Sequence, residues 1–78
     1  MPTVLEIEGY KFKFYSNENN EQVHVHITKG NGSAKMWLLP AILVEYSYNF
    51  TVREQRDITR IARENLEKLI KEWYAYFT

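Results

Sequence analysis

The chain contains no cysteine. It can build neither a disulfide framework nor a thiolate metal site, and it has no sulfur nucleophile. Three glycines and two prolines are too few for a glycine-rich phosphate loop or a proline-rich recognition tract. An excess of charge of one sign is also missing, since ten Lys and Arg balance ten Asp and Glu. Residues 1–50 carry four basic and five acidic side chains, and residues 51–78 carry six and five. Neither half makes the positive field of a phosphate-backbone binder, which disfavours nucleic acid as a partner but leaves room for a local basic patch. No stretch approaches the ~20 apolar residues of a membrane span. The segment Met-Pro-Thr-Val-Leu lacks the basic and apolar regions of a signal peptide. With no cysteine, a reducing compartment fits, and the expectation is a cytoplasmic protein. On that expectation the sequons Asn31-Gly32-Ser33 and Asn49-Phe50-Thr51 are coincidental. There is no Ser/His/Asp order, no carboxylate cluster at fixed spacing, no internal repeat, and no sign of a cofactor.

What is present suits one compact domain over residues 1–78. With 45% hydrophobic and 15% aromatic residues, the chain is too apolar to be disordered. Thr3–Ile7 and Tyr10–Tyr15 read as a hairpin across Glu8-Gly9. A two-residue loop pairs Ile7 with Tyr10, Glu6 with Lys11 and Leu5 with Phe12, leaving apolar pairs on one face and opposite charges on the other. A polar loop, Ser16–Gln22, follows. Val23–Lys29 alternates as a strand, and Asn31-Gly32 is a type I′ turn signal. That turn predicts a return strand Ala34–Leu38 with Ile27 opposite Met36, Val25 opposite Leu38, His26 opposite Trp37 and Thr28 opposite Lys35. Pro40 interrupts the strand or marks an edge. Ile42–Tyr48 reads as a strand, with a short helix as the alternative. Its alternation sets Ile42, Val44, Tyr46 and Tyr48 against Leu43, Glu45 and Ser47. Thr51-x-x-Glu54 is a capping box. Beyond it Ile58, Ala62, Leu66, Leu69, Ile70, Trp73 and Phe77 form one helical stripe. The expected fold is α+β, an N-terminal antiparallel sheet of four to five strands over residues 1–50, packed by one long amphipathic helix over 51–78.

His24 and His26 are the only histidines, and alternation sets them on one strand face about 7 Å apart. Three functions suit such a pair. They supply two metal ligands, although no third ligand is identifiable by spacing and a zinc site needs at least three. They act as general acid and base in metal-independent RNA cleavage, because imidazole titrates near neutral pH. Or they join Trp37 in a binding surface. Two ordinary strand residues would look the same. Trp37 and Leu39 share the histidines' side of the hairpin, while Val25, Ile27, Met36 and Leu38 take the other. Apolar groups on both faces of a sheet with one helix suggest a second covering surface, or else a curled sheet that buries Trp37. Lys11, Lys13 and Lys35 near Tyr15 form a weak basic patch on which a base could stack. Arg53, Arg56, Arg60 and Arg63 recur at helical spacing, interleaved by Glu54, Asp57, Glu64 and Glu67, the pattern of a solvated helix face. Tyr74 lies off the core stripe and is a candidate contact.

Several segments together resemble a known family. They are Met-Pro-Thr-Val-Leu, Phe14-Tyr15-Ser16-Asn17-Glu18, Val23-His24-Val25-His26, Lys29-Gly30, Ala34-Lys35-x-Trp37-Leu38, Tyr48-x-Phe50 and Trp73-x-x-Tyr76-Phe77. This combination, spread over essentially the whole chain, is similar to the small bacterial domain of unknown function DUF4160. The chain departs from the family pattern at Gln22 and Val23, where prolines precede the first histidine, at Asn49, where a glycine is usual, and at Leu43, where an acidic residue is common. The resemblance implies no established activity. Family members are similar to small proteins encoded in pairs and suspected of being toxin–antitoxin-like, which favours a protein partner by analogy. The leading expectation is a bacterial interaction module that binds a small partner protein, or itself, through Tyr15, His24, His26, Lys35 and Trp37 or through an open edge strand. The alternatives are a ribonuclease-like toxin using His24 and His26, and a nucleic-acid-binding module.

Overall fold

The computed structural model describes residues 3–15 and 21–77. The polar loop expected over 16–22 lies mostly outside them. Five strands run β1 (Thr3–Ile7), β2 (Tyr10–Lys13), β3 (His24–Lys29), β4 (Gly32–Trp37) and β5 (Leu43–Tyr48). They form one antiparallel meander in the order β1-β2-β3-β4-β5, so β1 and β5 are its edges. The first hairpin has the expected pairs Leu5–Phe12, Glu6–Lys11 and Ile7–Tyr10. Its two-residue loop places both Glu8 and Gly9 at positive φ, as a type I′ turn requires.

The second hairpin differs from the expectation by two residues. His24 pairs with Trp37, Val25 with Met36, His26 with Lys35 and Ile27 with Ala34. The loop is Gly30-Asn31, with positive φ at Gly30, rather than Asn31-Gly32. Gly32 serves packing instead. A Cβ there would run into the ring of Phe50, which is buried. Moving a turn by one residue moves the register by two, so every side chain keeps its face. Gly32→Ala is expected to cost about 1–3 kcal/mol through overpacking, read as a lower urea midpoint. An unchanged midpoint would show that Phe50 can move aside.

The segment expected as strand or short helix over 42–48 is strand β5. Its alternation is broken by a bulge, because Lys35 pairs with Tyr46 whereas Met36 pairs with Val44. The extra residue is Glu45. The bulge turns Tyr46 and Tyr48 to the side of Lys35 and Trp37, away from Val44. The corner into the helices uses Asn49 at φ 61°, the conformation that lets Asn stand in for Gly. The capping box is complete: Glu54 N–H donates to Thr51 Oγ1 at 3.0 Å and Thr51 N–H donates to Glu54 Oε1 at 2.8 Å.

The single long helix is in fact two, α1 (Val52–Glu64) and α2 (Leu66–Phe77). Asn65 between them leaves helical geometry at φ −118°, ψ 19°. Its side-chain amide and its backbone N–H both donate to the Ile61 carbonyl, at 2.9 and 3.0 Å. An Asn side chain that competes for a backbone acceptor gives the helix a place to turn. The core lies between this helix pair and the apolar sheet face. Tyr10, Phe12, Phe14, Val25, Ile27, Ala34 and Met36 meet Ile58, Ile61, Ala62, Leu69 and Trp73 there. Leu66, Ile70 and Phe77 of the expected stripe are half-buried, and Ile61 is a core residue outside that stripe.

Candidate functional site

The five residues singled out as a binding surface, Tyr15, His24, His26, Lys35 and Trp37, do come together, and three of them are buried. β2 ends at Lys13, opposite His26. Among the described residues no strand flanks His24 on that side, and the ring of Trp73 of α2 lies 5.0 Å from the imidazole. His24 also meets Trp37 and His26 edge-on, each at 5.3 Å. Tyr15 stacks on His26 at 4.1 Å. Trp73 continues the cluster to Phe14 and Phe77. His24 is 1% exposed and His26 7%. The His24 Nδ1–H donates to the Gln22 carbonyl at 2.8 Å; since a carbonyl only accepts, that nitrogen carries the proton. The histidines are thus members of an aromatic cluster joining the open sheet face to the helices. Among the described residues no group of three His, Asp or Glu is placed to hold a metal ion.

Lys35 shows why the weak basic patch is weaker still. Its ammonium donates to Glu21 at 2.8 Å, lies 3.2 Å from Glu45, and sits over the Trp37 ring at 4.5 Å. The bulge of β5 is what aims Glu45 at it. Burial pulls this lysine's pKa down, but hydrogen bonds and charge from Glu21 and Glu45 outweigh that and leave it raised. Burial, and then Asp57, also raise Tyr10, whose hydroxyl donates to Asp57 at 3.2 Å. In the unfolded chain both groups lose their protons first, starting near pH ~10. The folded chain then holds more protons, so stability is fully present below that range and falls as pH climbs through it. Urea midpoints should decline above about pH 10, and less steeply in Tyr10→Phe. A midpoint that rises there would contradict the geometry around both groups.

Away from the cluster, β5 presents apolar side chains to solvent. Leu43 is 63% exposed, Tyr48 61% and Tyr46 36%. Beside them, Trp37, Leu39, Pro40, Ala41 and Leu43, with Gln22, line a cleft of about 310 Å³. Tyr74 is exposed on α2, as its place off the stripe implied. Sequence reasoning placed Trp37 and Leu39 here but missed Leu43, Tyr46 and Tyr48, because the bulge that turns the tyrosines outward has no local signature.

An antiparallel five-stranded meander, packed on one face by a kinked helix pair and with an apolar edge strand, defines a small α+β domain. The family described as "Domain of unknown function (DUF4160)" matches residues 9–74, so the chain belongs to that family. No curated protein and no solved structure matches the chain. Among the described residues, no helix is long and apolar enough to cross a membrane.

Proposed function

We propose that this protein is a cytoplasmic interaction module that docks a small partner protein along the β5 edge and the cleft beside it, as one half of a toxin–antitoxin-like pair. The observation that carries this reading is the run of Leu43, Tyr46 and Tyr48 exposed on an edge strand next to an apolar cleft. Edge strands are ordinarily blunted by lysine, proline or inward charge. β5 contains neither lysine nor proline, and its one charge, Glu45, is engaged with Lys35. An exposed edge of this kind is a template for strand addition by another chain. Catalysis by His24 and His26 is the weaker reading, because acid–base cleavage of RNA needs two imidazoles within reach of a phosphodiester, and both are buried. Nucleic-acid binding loses Tyr15 to His26 and Lys35 to two carboxylates.

Co-expression with the product of the neighbouring gene tests this. A complex should co-purify with the wild type and be lost from Leu43→Glu/Tyr48→Lys, whose thermal midpoint should be within a few degrees of wild type because both side chains are exposed. Equal retention by wild type and variant would move the docking surface elsewhere.

A further inference from the structure

The helix side of the same edge carries two exposed arginines, Arg56 and Arg63, that make no ion pair among the described residues. Val44 of β5 and Val52, Gln55, Arg56, Thr59, Arg60 and Arg63 of α1 line a groove along β5. Four arginines on this helix look balanced in sequence by the acids among them. In space the acids of α1 gather on Arg60 or close the helix cap, and none pairs with Arg56 or Arg63. Arg60 gathers Glu8, which it holds through two 3.0 Å hydrogen bonds, together with Asp57 and Glu64. Asp57 also accepts from Tyr10, and Glu54 closes the capping box. Among the described residues, no ion pair involves Arg56 or Arg63. Both are exposed.

Resting on the reading of β5 as a docking edge, we propose that its occupant is an extended segment of alternating acidic and apolar residues, added as a sixth strand. Side chains of a strand alternate between faces. On this edge one face of an added strand looks toward α1 and the other toward Leu43, Tyr46 and Tyr48. Carboxylates on the first set meet Arg56 and Arg63 with paired hydrogen bonds. Apolar side chains on the second set cover the leucine and tyrosines. Arg56 and Arg63 are two helical turns apart, about 10 Å, which matches three strand steps and lies within side-chain reach of acids two or four residues apart. A second copy is the less favourable occupant. Two-fold antiparallel pairing across β5 would set both protomers' α1 helices side by side on the same sheet face, with Arg56 and Arg63 of each facing their like.

The probes are two acetylated peptides of about nine residues, a length that covers β5. One alternates glutamate with valine and tyrosine, and the other carries lysine in place of each glutamate. Fluorescence anisotropy with the full chain should show binding of the acidic peptide, weakening with added salt. Affinity should drop at least about tenfold in Arg56→Glu/Arg63→Glu, and that variant should instead take the lysine peptide. Equal binding of both peptides to wild type would overturn the charge inference while leaving the docking edge standing. Binding of neither would overturn both. A stable dimer by light scattering would give the edge to a second copy and overturn the proposal.

Discussion

Trp73→Ala should cost about 3–5 kcal/mol, the range for emptying a large aromatic site in a core. A domain of this length holds on the order of 4–12 kcal/mol in total, so the variant should be partly unfolded at room temperature and have the lowest urea midpoint of any single change considered. Trp73 is buried and touches Phe14, His24 and Phe77. It packs on His24, beyond the last β2–β3 pair, Lys13–His26. Loss of its indole leaves a void against His24 as well as against the helix-facing core. If Trp73→Ala melts within a few degrees of wild type, then α2 does not hold that end of the sheet, and the burial of His24 has another cause.

The second large effect is an asymmetry. Replacing both carboxylates, Glu21→Gln/Glu45→Gln, should cost about 1–3 kcal/mol, because it leaves an ammonium buried without its counter-charges. The figure sits at the low end for buried pairs because both glutamates are partly exposed. Lys35→Met should cost less than the double glutamine variant, since it removes the charge together with its need for partners and keeps a flexible side chain against Trp37. Chemical denaturation of the two variants reads this directly. The reverse order would mean that the Lys35 ion pairs stabilise the sheet on balance.

These two sites also show what the sequence could reveal. The Leu5–Phe12 and Ile7–Tyr10 pairs were legible because a two-residue loop and period-two alternation are both local. The face shared by His24, His26 and Trp37 was legible even though the register was two residues off, since a shift of two preserves sides. The turn itself was misplaced because Asn31-Gly32 is a strong local signal, whereas the Phe50 ring that claims Gly32 lies eighteen residues downstream. The bulge at Glu45 was hidden for a similar reason. An extra residue leaves the composition of a strand unchanged, yet it reverses the sides of Tyr46 and Tyr48 and delivers Glu45 to Lys35. The turn at Asn65 was masked by an apolar stripe that continues through it, because the next helix keeps the same phase. On α1, Arg56 and Arg63 look neutralised along the chain, but Asp57 and Glu64 pair with Arg60, and Asp57 also accepts from Tyr10.

The docking edge is tested most directly by amide hydrogen exchange with and without a saturating amount of the neighbouring gene's product. Amides of Leu43–Tyr48 pointing away from β4 should become protected on binding, while those of the opposite edge, Thr3–Ile7, should stay as they were. Binding that leaves β5 exchange unchanged, or no binding at all, would contradict a docking edge at β5.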